Sequence, residues 1–378
     1  MELLYTVVLI ANIISLFSKK GRRIVGICSL IVLSMVVLTM QNDALDLFNY
    51  KRRYENIYSS EIGIQPLYYL LQVFFRNINV DFDGFRISCF LVCMIGIYLI
   101  LNKITDSFNT FAIVYMMYFF FLDGEQIRNF MASCILIVAF YYLLGEEKHN
   151  VRNFIICIII ATLIHTVFIV YFSFIIVRFK FDLNKIILRI TPLIAILVWV
   201  IFRYFNVFSK LLLIINDERA ISYATSKTNF GWVIPTILYL LAYFLLKKLN
   251  SEYANRHESV NVIKRFRFIG TSKIKRLPKD INCSQILSLL YDVNKIGLMF
   301  LPLMLGTLTF YRVSKNIIFV DCVFLTAIWD YLFRYDNKFK YIKYYGCFLI
   351  IIFGYCIFDF SIYNEWKNFY DCYFSIKI

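Results

Sequence analysis

Residues 123–177 read DGEQIRNFMASCILIVAFYYLLGEEKHNVRNFIICIIIATLIHTVFIVYFSFIIV, two apolar runs of which the first is opened by an arginine and the second interrupted by a histidine. An α-helix needs about 20 apolar residues to cross roughly 30 Å of hydrocarbon, so this stretch predicts membrane-spanning helices. An arginine at the bilayer centre costs about 2.5–3.5 kcal/mol on insertion scales. Arg128 and His165 are therefore expected at a membrane surface, or facing protein and water.

Runs of the same kind recur from one end of the chain to the other, separated by short polar or charged joints. The composition agrees: 60% of the 378 residues are hydrophobic and 17% charged, against about 25% charged in ordinary soluble domains. That excludes a typical cytosolic protein. The alternation that an outer-membrane barrel needs is missing from runs such as 23–41 and 84–101, which leaves helices as the spanning structure. The expected fold is all-α, a polytopic integral membrane protein.

The net charge of +15 does not point to nucleic acid, because the basic residues are not gathered into one patch with stacking aromatics. They punctuate helix ends instead, at Lys19, Lys20, Arg22 and Arg23, from Lys247 and Lys248 to Lys279, and at Arg334, Lys338, Lys340 and Lys343. The positive-inside rule places these clusters in the cytoplasm. The ten cysteines form no CxxC pair and lie mostly inside apolar runs, so neither a disulfide nor a metal site is expected. The first helix lacks a basic leader and a small-residue cleavage motif, and is read as a retained anchor.

Crossings are predicted at 3–17, 23–41, 84–102, 108–122, 127–145, 150–164, 165–177, 185–203, 231–249, 296–311, 316–334 and 341–360. That makes about 12 transmembrane helices in one membrane domain over 1–378, with both ends outside. Residues 42–83 form an outer loop. Within it, 63–79 carries Gln65, Pro66, Gln72 and Arg76, and reads as an interfacial or re-entrant helix. Residues 204–230 make a second outer segment and 247–287 a basic cytoplasmic loop. A single span over 150–177 would push Arg178, Lys180 and Lys185 outside. Two short helices of about 22 and 20 Å, turning near His165, keep them inside.

This topology collects polar groups at the outer ends: Arg52, Arg53, Tyr54, Glu55 and Glu61, then Arg128 and His165, then Arg219, Tyr223, Lys227 and Arg312. The helix amino terminus beside Arg128 adds N–H groups and a positive dipole end, which suits a phosphate. Each member has a plainer reading. Asp123 with Gln126 has the form of a capping box. Arg128 fits a snorkelling arginine, His165 a hydrogen-bonded packing residue, and Arg52 with Arg53 a lipid-phosphate contact. DFDG at 81–84 is a turn rather than a metal loop. No Walker loop, dinucleotide fingerprint, HExxH or GxSxG is present, and no cofactor is implied.

Three segments together resemble the EpsG family of Wzy-like polysaccharide polymerases. EIGIQPLYYLLQVFF (61–75) resembles its E-x-G segment, IRNFMA (127–132) its I-R-Q-x-x-A helix start, and ATLIHTVFIVY (161–171) its A-x-x-x-H segment. Weaker likenesses are ISYATS around Tyr223, FYRVS around Arg312 and the aromatic tail. Asn129 stands where glutamine is usual, and Thr166 where serine or lysine is common.

The resemblance implies glycosyl transfer at the outer face of a bacterial inner membrane, joining polyprenyl-diphosphate-linked repeat units into a surface polysaccharide such as a capsule or O-antigen. It assigns the departing diphosphate to Arg128, with Arg312 second, and to His165 either a hydrogen bond to that diphosphate or proton transfer. Glu61 is the implied proton acceptor and Glu55 its reserve, with Gln65 and Tyr223 as substrate contacts. A flippase and a chain-length regulator of the same pathway are the implied protein partners. A membrane O-acyltransferase would place His165 at the cytoplasmic face, and a flippase would require a continuous polar cavity.

Overall fold

Helix is the only regular structure among the described residues of the computed structural model, which are 2–17, 21–39, 45–59, 65–105, 108–145, 148–178, 231–266, 283–305, 310–335 and 338–363, with positions 193 and 197. The helices are α1 (Glu2–Phe17), α2 (Arg22–Thr39), α3 (Leu45–Glu55), α4 (Pro66–Asn77), α5 (Phe82–Ile104), α6 (Asn109–Val114), α7 (Phe120–Glu125), α8 (Ile127–Leu144) and α9 (Lys148–Ile164). After them come α10 (Val233–Phe266), α11 (Cys283–Gly297), α12 (Tyr311–Tyr335) and α13 (Lys338–Tyr363). The chain divides into two units, Met1–Phe172 with Ile274–Ile286 and Phe319–Ile378, and Ser173–Lys273 with Leu287–Ile318.

Among the described residues, five helical stretches are long and apolar enough to cross a membrane: Phe82–Ile104, Ile127–Leu144, Val233–Tyr253, Cys283–Met304 and Ile342–Asp359. Four of them coincide with predicted spans. The fifth corrects one, since the crossing expected at 296–311 begins at Cys283. Asp292, Asn294 and Lys295 interrupt that apolar run in the sequence, yet Asn294 and Lys295 are only 0% and 6% exposed. The expected basic loop at 247–287 is likewise helical at both ends, because α10 runs on to Phe266 and α11 starts at Cys283. The predicted span 185–203 and the outer segment 204–230 lie outside the described residues, apart from the two isolated positions.

In the first unit, α1 and α2 pair, and Asn12 donates to Ser29 Oγ at 2.5 Å across their seam. The start of α6 lies so close to α2 that a Cβ at Gly26 would come within 2.5 Å of Phe108 Cβ and 2.9 Å of its carbonyl carbon. Backbone is hard to displace, so Gly26→Ala should lower stability by about 1–3 kcal/mol, seen as a lower unfolding midpoint of the purified protein.

The predicted helix 108–122 is a continuous run from Asn109 to Glu125 whose middle, Tyr115–Phe119, is a π turn. That turn aims the Tyr118 hydroxyl at the buried carboxylate of Asp359 in α13. Helix α5 packs on α8 through Phe90 and Phe130, whose ring centroids are 5.2 Å apart.

One end of this unit is basic. Arg23 donates to Asn102 Oδ1 at 2.7 Å, Lys103 lies 5.0 Å from the Tyr141 ring, and Arg22 faces Asp330 at 3.8 Å. Tyr345, in the second turn of α13, donates to the Thr110 carbonyl at 3.1 Å. The start of α2, the ends of α5 and α8 and the start of α13 therefore share one end.

At the opposite end stands an aromatic corner. Tyr54 of α3 stacks on Phe85 of α5 at 5.3 Å and donates to the Val80 carbonyl at 2.7 Å. Tyr68 and Phe75 of α4 meet the same Phe85 ring edge-on at 5.9 and 5.3 Å. Helix α4 ends where Asn79 adopts φ 58°, a left-handed conformation that asparagine tolerates. Asp81 then caps α5 by accepting the Gly84 N–H at 2.8 Å, which makes DFDG a helix start. At 12 residues, α4 is about 18 Å long, too short to cross, as expected of 63–79. Helix α3 was not foreseen inside the outer loop.

The chain changes character at His165, where a break was predicted. Its N–H closes the last turn of α9 on Ala161 at 2.8 Å, and its carbonyl accepts Phe168 N–H at 3.0 Å to open a 3-10 segment, Thr166–Arg178. This corrects the expected α-helix at 165–177. Phe168, Tyr171 and Phe174 are all fully buried, the spacing of three that a 3-10 helix places on one face. Thirteen residues at about 2.0 Å each give roughly 26 Å, where an α-helix would give about 20 Å.

In the second unit, Tyr243 and Tyr291 stack at 5.7 Å between α10 and α11. Tyr239 donates to the Asn294 carbonyl at 3.1 Å, an approach that only a glycine at 297 permits. Helix α11 gives way to a 3-10 segment at Leu298, four residues before Pro302, whose ring excludes an α-helical carbonyl at that distance.

Candidate functional site

Arg128 stands in the first turn of α8, at the aromatic corner. Its Nη1 donates to Gln65 Oε1 at 2.5 Å, and its guanidinium carbon lies 5.5 Å from the Tyr50 ring centroid and 5.9 Å from that of Tyr68. Among the described residues no carboxylate comes within ion-pairing distance of it. The cage is local in origin. Pro66 starts α4, and Gln65 ahead of it makes no capping bond with its side chain, which leaves the amide for Arg128.

Tyr50 and Tyr68 are 8% and 3% exposed, so both rings are packed in place. Burial pushes the Tyr68 pKa well above the ordinary phenol value, with Tyr50 adding to the shift and Arg128 opposing it. The hydroxyl therefore stays protonated, and Arg128 is surrounded by a neutral amide and two π faces. Such contacts attract a cation by about 0.5–2 kcal/mol each and leave its charge uncancelled.

The amino terminus of α8 adds to that charge. Gln126, at φ −95° and ψ 52°, precedes the helix, and its side chain makes no capping bond. Asp123 lies in the last turn of α7 instead, so the capping box expected from Asp123 and Gln126 does not form. A one-residue corner joins α7 to α8, and Asp123 and Glu125 are buried beside it.

His165 ends α9, which packs on α8 and is joined to it by residues 145–147. Arg128 and His165 are 16 and 17 residues from the ends at that joint, so each stands about 25 Å along its own helix. They belong to the same end of one antiparallel pair. His165 is buried, its ring 5.8 Å from that of Phe168. Helix α4 packs on α9 as well, bringing Gln65, Arg128 and His165 onto three neighbouring elements.

The remaining expected residues are distributed otherwise. Glu55 is exposed at the end of α3, five residues beyond Tyr50. Arg312 begins α12 and belongs to the second unit. Glu61 and Tyr223 lie outside the described residues. Sequence reasoning missed Tyr50, Tyr68 and the inner role of Gln72; the spacing of Tyr68 and Gln72 at i and i+4 was the available signal.

The family model described as the EpsG family matches residues 22–374, nearly the whole chain. The chain belongs to the EpsG family. This is a family of Wzy-like polymerases, and membership joins the apolar helices in making the chain a membrane protein. No curated protein and no solved structure matches it. Arg128, Gln65 and His165 all fall inside the EpsG match, as do Glu61, Tyr223 and Arg312.

Proposed function

We propose that this EpsG-family chain joins polyprenyl-diphosphate-linked oligosaccharide repeat units into a surface polysaccharide, at the outer face of a bacterial cytoplasmic membrane crossed by about twelve helices. The observation that carries the reading is the Arg128 cage: a guanidinium held by Gln65, Tyr50 and Tyr68, with no carboxylate at ion-pairing distance among the described residues, at an amino terminus that the Gln126 side chain does not cap. Such a site favours an anion whose charge grows during reaction.

In the transfer, the bond between the anomeric carbon and the diphosphate oxygen breaks, and its electron pair leaves with the diphosphate. Arg128 and the α8 N–H groups receive that charge. A new bond forms from the anomeric carbon to the acceptor hydroxyl oxygen. The hydroxyl proton passes to Glu61, four residues before the Gln65 that touches Arg128, with Glu55 in reserve. His165 hydrogen-bonds the diphosphate or carries a proton at the same level. The sugar arrives activated, so a nucleotide has no part in the step.

The test is purified protein in lipid supplied with lipid-linked repeat units. A glycan ladder is expected, weakened about tenfold or more by His165→Ala. Movement of intact units between leaflets without a ladder would establish a flippase instead. A ladder indifferent to both Arg128 and His165 would discard the site.

A further inference from the structure

Helix α4 turns two residues inward one turn apart, Tyr68 and Gln72, which are 3% and 1% exposed. The Tyr68 hydroxyl and the Gln72 Nε2 are both buried and meet no hydrogen-bond partner among the described residues, and the same holds for Arg128 Nε. They lie on touching elements: the Arg128 guanidinium carbon is 5.9 Å from the Tyr68 ring centroid, and Gln72 follows Tyr68 one turn on along the same face of α4. A buried donor or acceptor left unmade is costly, and native proteins retain few of them without a reason. All three can donate. A set of neighbouring buried donors is matched by a ligand group that offers only acceptor oxygens.

We propose that Tyr68, Gln72 and Arg128 Nε form an oxyanion subsite on the inner face of α4 that takes a phosphoryl group of an isoprenoid diphosphate. Naming the isoprenoid rests on the polymerase reading; the phosphoryl chemistry does not. The outer face of α4 fits the same ligand. Leu70 and Phe74, 55% and 58% exposed, form an apolar stripe about 6 Å long on the side away from Tyr68 and Gln72. One short helix then offers donors to the head group and apolar surface to the tail.

The experiment measures binding of farnesyl diphosphate to the full-length protein in nanodiscs, for the native chain, Tyr68→Phe and Gln72→Leu, alongside each unliganded unfolding midpoint. Each substitution is expected to raise Kd about tenfold or more, the effect of losing a hydrogen bond to a charged group. The unliganded midpoint should stay level or rise, because each variant removes a buried group that meets no partner among the described residues. A merely structural role predicts the reverse, a lower midpoint with Kd unchanged, and that result overturns the proposal.

A second arm adds phosphatidylglycerol and inorganic diphosphate as competitors. Inorganic diphosphate should displace the probe from the native chain, with phosphatidylglycerol weaker. Equal displacement by phosphatidylglycerol assigns the patch to ordinary head groups and overturns the isoprenoid assignment. The polymerase reading fails separately. A ladder lost in Arg128→Ala but unchanged Kd in both α4 variants sinks only the subsite, whereas Kd effects without any ladder sink only the polymerase.

Discussion

Replacing Arg128 by alanine is expected to slow glycan elongation about a hundred- to a thousandfold, the range seen when one preorganised donor to a developing oxyanion is removed. The protein should still accumulate and fold. Alanine is a good helix former in the first turn of α8, and the change deletes a buried Nε that meets no partner among the described residues together with two cation–π contacts. Those effects on stability oppose each other, so the loss is expected in rate rather than in yield. Lysine at the same position keeps a positive charge over the rings but has no fork with which to hold Gln65 and an anion together. Arg128→Lys should therefore bind the diphosphate better than Arg128→Ala and turn over little faster. Single-turnover elongation, with binding measured separately, resolves the two; equal rates for all three proteins would remove Arg128 from the chemistry.

The apolar runs made α5, α8 and α13 readable to within a few residues, because a run near twenty residues bounded by charge has few alternatives in a bilayer. Short or mixed segments were harder. Helix α3, LDLFNYKRRYE, buries Leu47, Tyr50 and Tyr54 but carries too many charges to register as apolar. The start of α11 was misplaced for a related reason: Asn294 bonds back to the Leu290 carbonyl at 3.0 Å, and Lys295 lies 4.7 Å from the Tyr291 ring. Polar side chains satisfied locally in this way are compatible with burial.

At the site, Arg128 stood out because a cation opening an apolar run needs a reason. Its partners did not. In a chain with 28 tyrosines, nothing in the sequence sets Tyr50 apart and only the spacing to Gln72 marks Tyr68; what selects them is the approach of both rings to Arg128. Gln72 was read as a sign that 63–79 does not cross, and the structure adds that it faces inward.

Asp330→Ala is expected to be the most destabilising change at the basic end, by about 3 kcal/mol, since removing one member of a buried ion pair leaves the other charge without compensation. Arg22 and Asp330 are 5% and 7% exposed. The aspartate faces Arg22 Nη1 at 3.8 Å and accepts the Thr105 hydroxyl at 3.0 Å, while Arg22 donates to the carbonyls of Ser15 and Leu16 at 3.2 and 2.6 Å. One carboxylate thus ties α12 to the ends of α1, α2 and α5. Asparagine keeps an oxygen for Thr105 and loses only the charge, so Asp330→Asn should fall between the native chain and Asp330→Ala. Pairing Asp330→Ala with Arg22→Met removes the stranded cation and should recover much of the loss, because an apolar pair of similar volume is often as stable as the ion pair it replaces. Unfolding midpoints of the four proteins in one detergent decide it. If Asp330→Asn falls as far as Asp330→Ala, charge holds the corner together; if the double variant is worse than Asp330→Ala, packing does.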